Sequence, residues 1–252
     1  MKRRTKSRIA AATAVLAAFA AVAIGGLLIY SRLAVRTAPS PDGTMLGFIA
    51  TGETQTDGNG FPEVDWEYWQ GVNPDVIGWI TVPGTDIDSP IVQARPDDPD
   101  YYLSHDVYRN YNPRGAVYLD AECAEMGLAS RNAVILGHHY GIGEDVSGFG
   151  HIKRYSDKGY AADHALVLIQ TPGSKMAYGV RFAQIIKGWE PVKRTTFANE
   201  EDYRAWYSSC LGEAAMVLDA ETEPEQTVSL VSCSYNYWSW NERTVVVSSP
   251  AK

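Results

Sequence analysis

A thiol and a guanidinium stand ten residues apart near the carboxyl end of the chain. Cys233 follows an apolar, β-branched run, residues 227–232, and Arg243 directly precedes another, residues 244–247. Both runs are typical of β-strands. If the strands pair as an antiparallel hairpin, Cys233 and Arg243 lie roughly opposite each other at one end of a sheet. A thiolate could then attack a carbonyl carbon while the arginine stabilises the thiolate and the developing oxyanion.

A histidine pair supplies candidates for the acid and base that a cysteine nucleophile usually needs. The apolar segment 133–136 predicts a buried strand, and Gly137, His138 and His139 follow it. An imidazole titrates near neutral pH, so it can protonate a leaving amine and then deprotonate an incoming one. Neighbouring residues on extended backbone point to opposite sides, so only one of the two histidines should face the thiol.

These features together resemble the sortase family. The shared pattern is an apolar strand ending in Gly-His, a Leu-x-Ser-Cys in place of the usual Leu-x-Thr-Cys, and an Arg ten residues after the Cys. The resemblance extends from about Asp65 onward, and its order and separations make it specific although each motif alone is weak. Segments that resemble class B in particular are residues 73–80, 83–93, 100–106 and 149–153.

The resemblance implies roles for three residues. Cys233 would be the nucleophile, His138 the acid and base, and Arg243 the group that positions substrate and holds the oxyanion. No carboxylate has motif support as a further member. Ser232 stands where the family usually carries Thr. Because the hydroxyl is kept and a methyl is lost, we expect a shifted peptide preference rather than inactivity.

The loop between the cysteine and the arginine is rich in aromatic residues. Its side chains could wall a peptide groove, which makes Ser232, Tyr235, Tyr237 and Trp238 candidate substrate contacts, or they could fold back as a small core. The glycine-rich segment 140–148 could be a mobile rim of the site or a plain connector. The sequence predicts no metal site and no cofactor, because adjacent histidines chelate poorly.

Many short strands and few helices predict a mostly β fold. We expect a closed, mixed sortase-type β-barrel with an N-terminal helix and a helix before the strand of the catalytic cysteine. The first helix lies near residues 65–69, ahead of Pro74. The second has Asn199 as its cap and an apolar stripe at Tyr203, Trp206, Tyr207, Cys210 and Leu211. The remaining predicted strands are residues 76–82, 87–93, 115–119, 133–136, 165–170 and 178–186, the last two forming a hairpin at Pro172-Gly173.

The amino-terminal sequence predicts the location of the protein. Residues 1–8 form a basic tail, and residues 9–30 are an uncharged run of 22 residues, long enough to span a bilayer as a signal-anchor helix. More Lys and Arg precede this run than follow it, so the amino end should be cytoplasmic and the remainder extracytoplasmic. Residues 31–61 read as a flexible spacer and residues 62–252 as the catalytic domain. A cleaved signal peptide is the alternative.

Charge and cysteine content limit the remaining possibilities. Beyond residue 36 the chain holds 15 Lys and Arg against 30 Asp and Glu, an acidic balance that disfavours nucleic acid as a partner. The three cysteines allow a Cys123–Cys210 disulfide that would leave Cys233 reactive. Cys210 alternatively packs as a small apolar side chain of its helix.

The resemblance implies a membrane-anchored cysteine transpeptidase on the outer face of a Gram-positive type of cell. It would cleave a C-terminal sorting motif of secreted proteins through a thioacyl-enzyme and transfer the acyl group to an amine of a peptidoglycan precursor or a pilin. A catalytically silent, membrane-tethered binding or assembly module on the same scaffold is the alternative. An L,D-transpeptidase fits less well, since its Arg lies close behind its Cys, and a papain-like peptidase has its Cys before its His.

Overall fold

A closed, mixed β-barrel of eight strands forms the body of the protein within the residues that the structure describes. The structure is a computed structural model, and it describes residues 56–142, 145–188, 194–220, 224–234 and 241–251, with only the backbone described for residues 141, 142 and 145. The strands are β1 (Val76–Thr81), β2 (Asp88–Gln93), β3 (Tyr118–Leu119), β4 (Asn132–Leu136), β5 (Tyr140–Ile142), β6 (Asp145–Ser147), β7 (Leu166–Thr171), β8 (Ser174–Lys187), β9 (Met216–Val217), β10 (Thr227–Ser234) and β11 (Glu242–Pro250).

Strand pairing closes the barrel. The order of neighbours is β11-β10-β4-β3-β2-β1-β7-β8, and β8 pairs in turn with β11. The β10–β4 and β2–β3 pairs are parallel, and the others in the ring are antiparallel. Strand β9 adds to β8 outside the ring, whereas β5 and β6 form a separate hairpin. Closure leaves the ring without a free edge strand.

Three α-helices decorate the barrel in the described part of the chain: α1 (Trp66–Val72), α2 (Lys158–Asp163) and α3 (Glu200–Gly212). The side chain of the residue before each helix, namely Asp65, Asp157 or Asn199, accepts a hydrogen bond from a backbone N–H of the first turn. These caps satisfy donors that have no partner within the helix. Short 3-10 helices span Tyr101–Leu103, Ala121–Cys123, Gly127–Ala129 and Gly148–Ser156.

The predicted mostly β fold is confirmed, and so are both predicted helices. Each of the eight predicted strands exists, and β7 and β8 form the predicted hairpin. Strand β3 is shorter than predicted because Gly115 belongs to a turn. Its φ is positive, at 62°, and its backbone N–H donates to the Asn112 carbonyl. The sequence analysis did not predict the β5–β6 hairpin or the 3-10 helix Gly148–Ser156.

Helix α3 lies on the barrel as its apolar stripe indicates. Tyr203 and Tyr207 are buried, and the ring of Tyr207 contacts that of Phe182 edge-on. Cys210 is half-buried, and burial raises its pKa to about 11. Burial also raises the pKa of Cys123. Both are free thiols, so the Cys123–Cys210 bridge is not formed and Cys210 packs as an apolar side chain.

The amino-terminal part of the folded region includes residues that the sequence analysis assigned to the spacer. Phe61 is 5% exposed, and the Asp57 carboxylate pairs with the Lys175 ammonium at 2.9 Å. The predicted basic tail and anchor, residues 1–8 and 9–30, lie outside the described residues. No helix within the described ranges is long and apolar enough to cross a membrane.

Candidate active site

Cys233 and Arg243 are direct neighbours across two strands. In the antiparallel pair of β10 and β11, the Cα of Cys233 lies opposite that of Arg243, as the sequence predicts. Side chains of directly opposed residues point to the same face of a sheet. Both residues are half-buried. The pairing therefore places Cys233 and Arg243 on the same face at one strand end, where both side chains are partly accessible to solvent.

His138 reaches the same edge of the barrel through a different pairing. Strand β10 runs parallel to β4, with Val231 beside Leu136, and the Gly137 amide donates to the Val231 carbonyl at 3.2 Å. Cys233 lies two residues beyond Val231, and His138 lies two residues beyond Leu136. Because parallel strands end at the same edge, residues separated by about a hundred positions meet there. The structure thus brings His138, Cys233 and Arg243 to one edge.

Ser232 joins the cysteine strand to the segment that carries the histidine. Its hydroxyl donates to the Gly137 carbonyl at 3.0 Å, and the residue is 2% exposed. Successive strand residues face opposite sides, so Ser232 points away from the face that bears Cys233. The Ser232 hydroxyl therefore links the backbone next to Cys233 to the backbone next to His138.

A backbone carbonyl orients the imidazole. Nε2 of His138 lies 2.9 Å from the carbonyl oxygen of Leu103, at the end of the 3-10 helix Tyr101–Leu103. A carbonyl oxygen can only accept, so Nε2 must carry the proton of this hydrogen bond. In the neutral imidazole, Nδ1 is then the nitrogen without a proton, so it can accept a hydrogen bond. Sequence reasoning did not find this contact because a main-chain oxygen has no residue type to recognise.

A partly buried hydrogen-bond network surrounds Tyr102, the residue before Leu103. The hydroxyl of Tyr102 donates to the Asp75 carboxylate at 2.7 Å and accepts from the Asn73 amide at 2.9 Å. Arg109, in the left-handed region at a φ of 64°, donates to Asn73 and to Asp75. Burial raises the pKa of Tyr102 to about 12, so its hydroxyl keeps its proton at neutral pH. These bonds hold Tyr102, which precedes Leu103 in the 3-10 helix that presents the carbonyl.

The guanidinium of Arg243 is positioned by its own strand. Its Nη1 donates to the backbone carbonyl of Glu242 at 2.9 Å. Glu242 is fully buried, and its carboxylate accepts from the hydroxyl of Ser234, its cross-strand partner, at 2.7 Å. These bonds lie one register step beyond the Cys233–Arg243 pair. They fix the ends of β10 and β11, the two strands that carry Cys233 and Arg243.

Tyr118 is a neighbour of the site that the sequence analysis did not single out. Burial, assisted by the charges of Asp120 and Cys233, raises the pKa of Tyr118, while Arg243 opposes this effect. The phenol therefore remains neutral at physiological pH. Tyr118 pairs with Leu136 across β3 and β4, and Leu136 pairs with Val231 of β10, so Tyr118 lies near the strand ends that carry His138 and Cys233. No sequence signal distinguishes this Tyr from a core aromatic of strand β3.

Steric contact explains the glycine that precedes His138. A Cβ at Gly137 would lie 2.5 Å from the ring of Phe149, which is 3% exposed and packed in the core. Since real Cβ atoms do not approach ring carbons so closely, only glycine fits without displacing the ring. The close packing of Phe149 on this glycine sets the path of the backbone just before His138.

The arrangement suits acyl transfer through a thiol. The edge carries a partly exposed thiol, an arginine directly across the strand pair and an imidazole whose Nε2 donates to a carbonyl, which are the group types that such chemistry needs. Of the predicted substrate contacts, Ser232 is buried, and Tyr235, Tyr237 and Trp238 lie outside the described residues. Direct contact of these four residues with a peptide stays a prediction.

Comparisons with known proteins agree with this chemistry. The family model described as Sortase domain matches residues 80–251. Sortase B of Staphylococcus aureus is 24% identical over 188 residues, which cover 74% of this chain and 75% of that protein. Sortase B of Listeria monocytogenes is 36% identical over 96 residues, which cover 38% of this chain and 36% of that protein.

Solved structures share the fold. Sortase B of Clostridium perfringens superposes with a TM-score of 0.65 at 24% identity, over 74% of this chain and 99% of that one. A Staphylococcus aureus sortase B–substrate complex gives a TM-score of 0.63 at 23% identity, over 74% and 84% of the two chains. This chain therefore has the same barrel fold as those proteins.

Proposed function

The chain belongs to the sortase family and is a class B-like cysteine transpeptidase, and we propose that His138, Cys233 and Arg243 carry its reaction. The Cys233 thiolate attacks a backbone carbonyl carbon of a sorting motif, and the electron pair of the C=O bond moves to oxygen. The Arg243 guanidinium stabilises that oxyanion. His138 protonates the departing amine as the C–N bond breaks, which leaves a thioacyl-enzyme.

An amine completes the transfer. Its nitrogen attacks the thioester carbonyl carbon and gives a proton to His138, and the C–S bond breaks to return the thiolate. The observation that carries this proposal is the pairing at one barrel edge: β4 and β10 run parallel, and Cys233 opposes Arg243 across β10 and β11. Strands β4 and β10 therefore end at the same edge of the barrel, where His138 and Cys233 lie.

We further propose that the acceptor is an amine of the cell wall or of a pilin and that the donor is a secreted protein with a C-terminal sorting signal. The uncharged run 9–30 and the basic residues before it support a signal anchor with the catalytic domain outside the membrane. A spacer between anchor and domain would let the site reach substrates that are held at the same membrane.

The direct test uses the folded region with the preceding spacer, residues 36–252, and a panel of fluorogenic sorting peptides. We expect cleavage of at least one peptide and formation of an amide product when a primary amine is added. Cys233→Ala should abolish both reactions, while Cys210→Ala, a control for loss of a half-buried thiol, should retain them. Undiminished turnover by Cys233→Ala would refute the assignment of the nucleophile.

Thiol labelling separates an enzyme from a catalytically silent module on the same scaffold. Burial raises the pKa of Cys210 to about 11, so only about one in ten thousand of these groups is a thiolate at pH 7. A soluble alkylating reagent should therefore label native protein once, at Cys233, with a rate that rises with pH. A Cys233 that stays unlabelled until the protein is denatured would favour the silent module.

A further inference from the structure

Tyr140 lies beside the imidazole of His138, two residues further along the chain. The two rings meet edge-on, with their centroids 5.9 Å apart and their planes at 66° to each other. Tyr140 is the first residue of β5 and is half-buried. The hydrogen bond to the Leu103 carbonyl holds His138 at one atom, Nε2. Because a single hydrogen bond still allows a ring to tilt about the line between donor and acceptor, a second contact is needed to fix its plane.

The ring of Tyr140 is itself held by two groups. Its hydroxyl donates to the Pro113 carbonyl at 2.6 Å. The guanidinium of Arg114 lies over the ring, 4.5 Å from the centroid, where a cation is attracted by the face of an aromatic ring. The backbone N–H of Arg114 donates in turn to the side-chain oxygen of Asn112 at 3.0 Å. Tyr140 therefore has its own supports and can serve as one for its neighbour.

One segment between β2 and β3 supports both rings. It provides the Leu103 carbonyl for His138 and the Pro113 carbonyl for Tyr140. The segment is closely packed on itself, because a Cβ at Gly115 would lie 2.2 Å from a backbone carbonyl oxygen of the 3-10 helix that contains Leu103. The two carbonyls are thus held relative to each other, and so are the two rings that donate to them.

Close packing also fixes the backbone on either side of His138. Gly137 packs against the ring of Phe149. A Cβ at Gly150 would lie 2.6 Å from the carbonyl oxygen of Tyr140, so the next residue of the same 3-10 helix lies directly against the Tyr140 backbone. Since the backbone is set before and after the histidine, the orientation of the imidazole depends on its side-chain contacts.

We propose that Tyr140 is a positioning residue: its ring limits the tilt of the His138 imidazole and keeps Nε2–H on the Leu103 carbonyl. The inference rests on the proposed function, in which His138 moves the protons, and it adds a residue that acts through His138. A proton carrier must be held within about half an ångström and about 10–20° of its productive geometry. Loss of the ring therefore slows the chemical step and leaves peptide binding unchanged.

Two replacements separate the ring from its hydroxyl. Tyr140→Leu removes the ring and should lower kcat for sorting-peptide cleavage about tenfold, with KM within twofold of wild type. Tyr140→Phe keeps the ring, loses the bond to Pro113 and should keep kcat within about threefold of wild type. Tyr68→Leu is the matched control: Tyr68 is 46% exposed and meets Trp69 edge-on, with centroids 5.3 Å apart, and its loss should change neither constant.

The tautomer of His138 gives a second measurement that does not depend on turnover. The ¹⁵N signals of a neutral imidazole distinguish a proton on Nε2 from one on Nδ1. They are recorded at a pH above which they no longer move, and His138→Ala identifies the signals of this ring among the five histidines of the chain. Wild type and Tyr140→Phe should show the Nε2–H form. In Tyr140→Leu the two nitrogen signals should move toward each other as the tautomers exchange.

The outcomes separate this inference from the function on which it rests. If the wild type cleaves no sorting peptide, the proposed function fails, and the tautomer alone decides whether Tyr140 positions the imidazole. A Tyr140→Leu that keeps wild-type kcat and the Nε2–H signals refutes the positioning role and leaves the transpeptidase intact. A rise in KM alone, or equal losses in Tyr140→Phe and Tyr140→Leu, would also overturn it. Tyr140→Met, whose unbranched chain adapts to the space, replaces Tyr140→Leu if that variant does not fold.

Discussion

The two ends of the parallel pair β4 and β10 are built from the same strands but use polar groups in opposite ways. At the end where both strands begin, Oδ1 of Asn132 accepts from the hydroxyls of Thr227 and Ser229, and its Nδ2 donates to the Arg194 carbonyl. All three side chains are buried. At the end where the strands finish, His138 and Cys233 are half-buried.

This difference shows how one barrel is both stable and reactive. Buried polar groups must be fully hydrogen-bonded, and the beginning of the pair meets that demand within the chain. The functional groups at the other end keep capacity for a substrate, and their support comes from backbone carbonyls of Leu103, Gly137 and Glu242. Replacements at the two ends should therefore separate stability from catalysis.

The largest contrast is expected between Asn132, the first residue of β4, and His138, two residues beyond its last residue. His138→Ala removes the proton carrier and should lower kcat about 10²- to 10⁴-fold while the midpoint of urea unfolding stays nearly constant. Asn132→Ala leaves two buried hydroxyls without their acceptor and should lower the free energy of unfolding by about 2–4 kcal/mol. Its kcat, measured at a temperature where it is folded, should stay within about twofold of wild type. Equal losses of stability in the two variants would contradict the separation.

The next contrast compares two arginines. Arg243→Gln should lower kcat about 10²- to 10³-fold, because one charged oxyanion donor is lost. Arg131, beside the start of β4, pairs with Glu200 and lies over the ring of Tyr203, 4.1 Å from its centroid. Arg131→Gln should lower stability by about 1 kcal/mol and leave kcat unchanged. Peptide turnover and thermal unfolding measured on both variants decide the matter; a fall in kcat for Arg131→Gln would count against the division.

The parts of the site that the sequence could predict are those defined by a residue type or by a local strand pattern. The Cys233–Arg243 hairpin is local, with a clear strand pattern on both sides, so its register was predictable. His138 was identified because a buried strand ends on Gly-His. The meeting of His138 with Cys233 was expected only from the family resemblance, and the parallel pairing of β4 with β10 that achieves it, bringing together residues 95 positions apart, was not predicted.

The remaining parts of the site depend on contacts that residue types do not encode. The Leu103 carbonyl acts through the backbone, and Gly115 is required because a Cβ there would lie 2.2 Å from the Tyr102 carbonyl oxygen. Tyr140 is held by the Pro113 carbonyl and packs against Gly150, which belongs to a 3-10 helix that the sequence pattern did not reveal. Such contacts arise from tertiary packing.

A glycine comparison sharpens the account of the reactive end. Gly137→Ala must displace the Phe149 ring or the backbone next to His138, so it should lower stability by about 1–3 kcal/mol and kcat by about 10- to 100-fold. Gly173, in the β7–β8 turn, has no atom within 4 Å of an added Cβ. Gly173→Ala should change neither quantity appreciably. Denaturant unfolding and peptide turnover test both variants, and a fully active Gly137→Ala would show that the close packing is dispensable.

The smallest expected difference lies between two serines of β10. Ser232→Ala removes the hydrogen bond to the Gly137 carbonyl. We expect kcat to fall severalfold and the free energy of unfolding to fall by about 1 kcal/mol. Ser229→Ala removes a bond to Asn132 and should cost similar stability without a change in kcat. Ser232→Thr keeps the hydroxyl and adds the methyl usual in the family, so it should retain activity while changing the ranking of sorting peptides. If Ser232→Ala and Ser229→Ala behave alike in turnover, the bond between the two catalytic strand ends does not position His138.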